Sequence, residues 1–513
     1  MKRFLLYGMA LVIMAVGALG GAGQEPLWKK VREYRRAHEA EILREFRELL
    51  SVPNVASDGE NIRANAELLR RMMEKRGLEA RVMETAGNPV VFAQKIVPGA
   101  GRTLLFYAHY DGQPVEPGKW TGTAPFEPAL RPGKLRAGTR EPGPIPFPAA
   151  GARHEDDWRL YARSASDDKA PIICFLAALD ALRESGFVPR NNIKIILDGE
   201  EEAGSTNLFP FLEKNKDLLG SDVLFMCDGP AYYSGDPTLF FGARGITTLE
   251  VTVYGPDTSL HSGHYGNWAP NPAVMLAHLL ASMRDANGRV KVAGFYDTVV
   301  PLGESELRAV RSIPSHEEEI KRTYGFRRHE DAWPSLMEAI QYPAININGL
   351  ESGAVGSRAT TSIPASAAAR LDIRLVKGND PRDMAAKVVS HIRAQGYHVV
   401  EGEPDDAARA RFPMIARVTG GRGGYAASRT AMDLPVCRAA VAALSRHGSR
   451  PPVLLPTLGG SLPIVHFQEL LETPIVGVSV VNHDNNQHQH DENVRLGHLW
   501  LGIETLAALL MMD

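Results

Sequence analysis

The apolar positions of this chain follow two rhythms. Within a charged stretch from Pro26 to Leu50, the residues Ile42, Leu43, Phe46, Leu49 and Leu50 recur at helical spacing and predict an amphipathic helix. A second helix is predicted from Asn61 to Arg76, closed by Gly77. Val90 to Val97 reads as a mixed strand. Thr103 to Ala108 (TLLFYA) is apolar at every position but the first, as a strand buried on both faces of a parallel sheet is. Helix Ala170 to Ser185, strand Ile193 to Leu197, helix Leu208 to Leu219 and strand Val223 to Met226 follow. This alternation predicts an α/β domain with a mostly parallel sheet. Residues 116–157, with PGKW, RPGK and EPGPIPFP, read as a long surface loop.

Near Gly245 the rhythm changes. Thr247 to Tyr254 alternates with a period of two, helix Pro272 to Arg284 follows, and Ala367 to Val376 alternates again. Helix Pro381 to Ala394 and a last strand, His398 to Glu401, complete this part. From about Gly421 the first rhythm returns, with helix Leu434 to Ser445, strand Pro474 to Val480 and helix Glu492 to Met511. The expected division is a catalytic α/β domain over 24–244 and 421–513, interrupted at 245–420 by a smaller α+β domain. At 513 residues the chain is long enough for such a division.

Charge and composition narrow the function. A formal net charge of -3 and no basic tract give no electrostatic case for nucleic acid or an anionic membrane. Residues 1–23 stand apart: Lys2 and Arg3, an apolar run from Phe4 to Ala18, then Gly20-Gly21-Ala22-Gly23. This is the layout of a signal peptide cut near Gly23, and the apolar run is shorter than the roughly 20 residues a spanning anchor needs. Export is therefore expected. Three scattered cysteines make no disulfide framework and no cysteine-based zinc motif, so any metal here is held by oxygen and imidazole.

The buried strands end in groups that can do chemistry. TLLFYA runs into His109-Tyr110-Asp111, IKIIL into Asp198-Gly199-Glu200-Glu201-Glu202, VLFM into Cys227-Asp228, and PIVGVSV leads to His483 and His488. Ser166-Asp167-Asp168-Lys169 precedes a helix between the first two. Each segment alone has a structural reading, such as a helix cap or a solvated turn. Together they deliver His, Asp, Glu, Asp and His to the carboxyl rim of one sheet, where α/β proteins place their sites.

In this order the segments resemble the M20 family of metallopeptidases, which includes carnosinase-like dipeptidases, carboxypeptidase G and bacterial amino-acid deacylases. The matching blocks are HYDGQPV (109–115), SASDDKAP (164–171), GEEEAGS (199–205), CDGP (227–230), GARGI (242–246), LHSGHYG (260–266), TSIP (361–364), IRLV (373–376), GGSLP (459–463) and HQHDEN (488–493). The resemblance implies two divalent ions, zinc first, with manganese or cobalt admitted by the same donors. His109 and Asp228 are expected at one ion, Glu202 and His488 at the other, with Asp167 bridging and the Asp167-Asp168 peptide cis. Asp111 is expected to hydrogen-bond His109 and fix its tautomer. Glu201 is expected to be the general base.

The inserted domain is expected to supply His261, which steadies the oxyanion in the partner subunit's site, and Arg374, which binds the substrate carboxylate. Gly459, Gly460 and Ser461 are expected to contact the substrate terminus. A homodimer through the inserted domain follows. HYDGQP favours a dipeptidase acting on small peptides; the alternatives are an N-acyl amino acid deacylase on the same scaffold and a non-catalytic homologue. Relatives usually read Gly-Arg-Gly where this chain has Ala162-Arg163-Ser164, so a different backbone is expected there.

Overall fold

The computed structural model describes residues 26–135, 143–149, 151–152 and 154–513. The expected signal segment, residues 1–23, lies outside them. Among the described residues no helix is long and apolar enough to cross a membrane.

An eight-stranded sheet forms the main body. Its central strands, in spatial order Asn192–Asp198, Thr103–His109, Val223–Met226 and Ile475–Ser479, are parallel. Glu79–Met83 and Val90–Lys95 add antiparallel strands at one edge; Thr238–Phe240 and Val453–Leu455 complete the other. The period of two splits each central strand between two cores. Leu104, Phe106 and Ala108 face the core formed with helices Lys169–Glu184, Leu496–Leu510 and Leu27–Ser51. Leu105 and Tyr107 face the opposite core, with Phe211 of helix Leu208–Lys214 and Phe467 of helix Ile464–Leu471.

A second sheet has the order Ala344–Glu351, Ser366–Leu375, Gly242–Tyr254, Ile415–Gly420, His398–Val400. Leu249, Val251 and Val253 turn toward helices Pro272–Ser282 and Pro381–Ala394, with Leu371, Ile373 and Val388 in the same core. The strand Gly242–Tyr254 joins the two bodies. Its first residues pair with Ser428–Arg429 and Leu458–Ser461 before its remainder enters the second sheet. Gly245 makes this possible, because a Cβ there would lie 2.3 Å from the Tyr425 carbonyl oxygen.

Three elements differ from the sequence reading. The 116–157 segment is not wholly a surface loop. Ala129–Arg131 is buried and forms a small sheet with Arg159–Tyr161 and Asn493–Arg495, and Ile145 bridges Leu130. Its strand is too short to show a period, and its partners are distant in sequence. The helix expected from Glu492 begins at Leu496, because Glu492 is used elsewhere and Asn493–Arg495 is a strand. The helix expected from Leu208 to Leu219 breaks at Asn215, whose side chain donates back to the Phe211 carbonyl.

Packing at Gly477 yields a test of the sheet. A Cβ there would lie 2.0 Å from the buried Phe240 ring. Gly477→Ala is expected to destabilise the protein by about 1–3 kcal/mol through overpacking, read as a lower denaturation midpoint with an unchanged slope.

Candidate active site: an acidic centre at the strand ends

The parallel strands end together. His109 closes one strand in register with Asp198, which closes the next; Asp228 follows the strand Val223–Met226. Lys169–Glu184 begins just after Asp167 and Asp168, and the peptide between those two aspartates is cis. Five segments thereby converge.

Their donor atoms form two groups that share one residue. His109, Asp167 and Asp228 make one; Asp167, Glu202 and His488 make the other, with the donor atoms of each group lying within 4.8 Å of one another. His109 Nε2 stands 3.1 Å from Asp167 Oδ1, and His488 Nε2 stands 3.1 Å from Asp167 Oδ2 and 3.5 Å from Glu202 Oε2. The two oxygens of Asp167 thus face the two histidines separately. His109, Asp167 and Asp228 are buried, whereas the His488 side chain is 54% exposed.

Charge at this centre is lopsided. Burial and the neighbouring Asp167 push the Asp228 carboxyl up to about 6 and the Glu202 carboxyl up to about 7. Burial, Asp228, Glu202 and Asp167 raise Glu201 well above the usual glutamate range, against the pull of His109. Burial also raises Asp168, with Asp228 adding to it. The histidines respond in the other sense. The hydrogen bond to Asp167 lifts His488 to about 9, and Asp111 and Asp167 raise His109 against its burial. Two imidazoles face six carboxyl groups, Asp111 included. Such a surplus of hard oxygen donors, with one carboxylate shared, fits a pair of divalent cations.

The supports explain how the groups stay in place. Both oxygens of Asp111 accept backbone N–H bonds, from Glu201 and Glu202 at 3.0 Å each, and Oδ1 lies 3.3 Å from His109 Nδ1. Asp111 therefore orients the glutamate turn as well as the histidine. Gln113 donates to Glu202 at 2.6 Å and Gln487 to Asp167 at 3.2 Å.

Glu492, fully buried, accepts from the backbone N–H of Ser164, Ser166 and Asp167, each at 2.9 Å, and pairs with Arg163 at 2.8 Å. Ser164 adopts φ +60°, a left-handed conformation that favours glycine, so the serine takes up a glycine-like backbone rather than the different one expected from the sequence. Its hydroxyl accepts from Asn54 and donates to the Asp111 carbonyl, so the serine is held rather than strained outward. Of these supports, Asp111 was legible from the sequence; Glu492, Gln113 and Gln487 were missed as supports.

The remaining expected residues fall in two places. Arg374 meets Ser461, its Nη1 donating to Oγ at 2.8 Å, while Nε and Nη2 pair with Asp372. Gly459 and Gly460 lie on the same strand, Leu458–Ser461. Tyr425, also missed, links the two regions electrostatically: burial and then Glu201 raise its hydroxyl to about 12, with Arg374 opposing. His261 is not brought to the centre. It is exposed, its Nδ1 accepts from Gly263 N–H, and its ring lies tilted against that of His264, centroids 4.6 Å apart. His483 lies against the Tyr233 ring and belongs to neither donor group.

Known proteins give this arrangement a family. Residues 140–512 match the peptidase family M20/M25/M40. Over 532 aligned residues the chain is 24% identical to the human Beta-Ala-His dipeptidase, covering 99% of this chain and 97% of that protein. It is 25% identical to the Cys-Gly metallodipeptidase DUG1 of Saccharomyces cerevisiae, over 82% of this chain and 81% of the relative. An M20 family metallo-carboxypeptidase from Sulfolobus solfataricus superposes with a TM-score of 0.69 at 28% identity, over 92% of this chain and 98% of its own. Human carnosine dipeptidase 1 shares the fold, with a TM-score of 0.67 at 23% identity over 94% and 99%. The chain belongs to peptidase family M20 and is a metallopeptidase.

The role of Glu492 can be measured. Glu492→Gln is expected to weaken divalent-ion affinity roughly 10–100-fold by loosening the Asp167 loop, read by competition with a chromophoric chelator.

Proposed function

We propose that this protein is an exported dinuclear hydrolase that cleaves the amide bond of dipeptides or short peptides. The observation that carries this reading is the pair of His/carboxylate groups sharing Asp167, with the Glu201 carboxyl beside both. The dipeptidases among its relatives support the substrate class. The 1–23 sequence pattern supports export. In this reading residues 24–244 and 421–513 make the catalytic domain and 245–420 the lid.

The residues then have distinct tasks. His109 and Asp228 would hold one divalent ion and Glu202 and His488 the other, with Asp167 common to the two groups. Zinc suits this set, as manganese and cobalt also do. When bound, the two ions acidify a water and polarise the scissile carbonyl. Glu201, kept off the ligand set by its own position on the turn, takes the water's proton and delivers it to the leaving amine. Asp111 holds the Glu201–Glu202 turn and His109 in one arrangement. Arg374 and Ser461 receive the substrate carboxylate, with the backbone at Gly459 and Gly460 beside it.

His261 acts across a homodimer. Its exposure, next to Tyr265 and an 81% exposed Trp268, supports a surface that a second copy covers.

A panel of free dipeptides and N-acyl amino acids, assayed with added zinc or manganese, tests the substrate class. Dipeptide cleavage is expected, and turnover of acyl substrates alone would overturn it in favour of a deacylase. Glu201→Gln is expected to keep two equivalents of metal and lose about 10²–10⁴-fold in kcat. His261→Ala is expected to lower kcat with little change in metal content. Mixing His261→Ala with Glu201→Gln protomers should restore part of the activity if each site borrows a histidine from its neighbour, and no recovery would mean that His261 acts within one chain or not at all.

A further inference from the structure

Three rings line up between the glutamate turn and Arg374. Phe209, in the helix that follows Glu201 and Glu202, packs on the His466 ring with centroids 4.7 Å apart. His466 in turn meets the Tyr425 ring edge-on at 6.2 Å. All three are partly exposed, whereas Phe467 and Tyr107 behind them are buried.

Strand register fixes the face on which Tyr425 stands. Tyr425 and Ile246 exchange both backbone hydrogen bonds at 3.0 Å, and Ile246 stands opposite Arg374 on its other side. Directly opposed residues of antiparallel strands project to one face. Tyr425 and Arg374 therefore share a face, with Cα atoms about 10 Å apart. Thr247, Ile373 and Leu375 turn the other way and are buried. The shared face is thus the open one, and Arg374 reaches Ser461 at 2.8 Å. Charge agrees with the register. Burial first, then Glu201, raises the Tyr425 hydroxyl, and Arg374 opposes, which puts Tyr425 within electrostatic range of both ends of the site.

Neither the Tyr425 hydroxyl nor the His466 ring hydrogen-bonds to a described residue, and neither is sealed inside. A scissile bond at the acidic centre and a carboxylate at Arg374 leave one substrate residue between them, the one that bears the carboxylate. Its side chain has this aromatic shelf beside it. Rings favour tilted and edge-on neighbours, and the hydroxyl and imidazole add groups that donate or accept.

We propose that Phe209, His466 and Tyr425 are specificity-determining residues that select a planar side chain, aromatic or imidazole, on the substrate residue bearing the free carboxylate. This selection rests on Arg374 receiving that carboxylate, as in the function proposed above. It holds alike for dipeptides and for N-acyl amino acids, because both carry this residue.

Steady-state kinetics of the metal-loaded full chain test it on two series, Ala-X dipeptides and N-acetyl-X amino acids, with X as glycine, leucine, phenylalanine, tyrosine or histidine. The parent is expected to prefer the three planar side chains over glycine by at least about tenfold in kcat/KM, and over leucine by about threefold. Tyr425→Leu and His466→Leu are each expected to cut the phenylalanine-to-glycine ratio by at least about fivefold, through KM more than kcat, with metal retained. Tyr425→Phe keeps the ring and is expected to keep the phenylalanine preference. A ratio of kcat/KM values is unmoved by a misfolded fraction, so a merely structural defect lowers every substrate alike. An equal fall on every X, an unchanged ratio in both leucine variants, or a parent without the preference would overturn the shelf. Cleavage of the acetyl series alone would overturn the dipeptidase reading while the same ratio still decides the shelf, and cleavage of neither series would overturn both.

Discussion

The carboxylate of Glu492 is the interaction on which the centre depends. It sits fully buried in the interior, and its charge is met by three backbone N–H groups, the Ser166 hydroxyl and Arg163. All of these come from the loop that carries Asp167. An uncompensated buried charge costs several kcal/mol, so the loop and the glutamate hold each other in one arrangement. Asp167 then stands between the two histidines because its own backbone N–H is committed. Asp167 is shared by the two donor groups and presents one oxygen to each histidine, and this is how the chain aims it.

The centre opposes folding in one respect. Carboxyl groups of Asp167, Asp168, Glu201, Glu202 and Asp228 are gathered where only two imidazoles answer them, and burial first, then the charge of Asp167, shifts Asp228 and Glu202 upward. Rigid surroundings keep the cluster from relaxing. The strands behind it are buried on both faces, and the turn bearing Glu201 and Glu202 is held through its backbone by Asp111. The arrangement is preorganised for cations, which turn repulsion into coordination.

Much of this was legible in the chain. TLLFYA and VLFM announced their burial through continuous apolarity, and the residues that follow them are those found at the centre. The supports were harder to read. Glu492 looked like an ordinary acid opening a helix, and only its remote partners at 164–167 reveal its use. Gln113 and Gln487 are amides beside stronger signals. Ala129–Arg131 hid among prolines and glycines because three residues cannot display a period. Tyr425 follows a glycine-rich turn with no pattern of its own. His261 was legible as a residue of note, yet nothing within one chain shows where it points its chemistry.

Lys169 gives the N-terminal helix a meaning beyond packing. Its ammonium group is buried beside the Asp167 loop and ends on the carbonyls of Leu49 and Val52 and on Asn65, at the close of Leu27–Ser51. Those carbonyls are the unpaired terminus of a helix, the natural seat for a cation. The segment before residue 140 is thus no detachable preface to the region that carries the family match. It supplies His109 and Asp111 directly, and it supplies the acceptors for the Lys169 amine beside the Asp167 loop. Among the described residues, the packing unit around this centre reaches back to helix Leu27–Ser51.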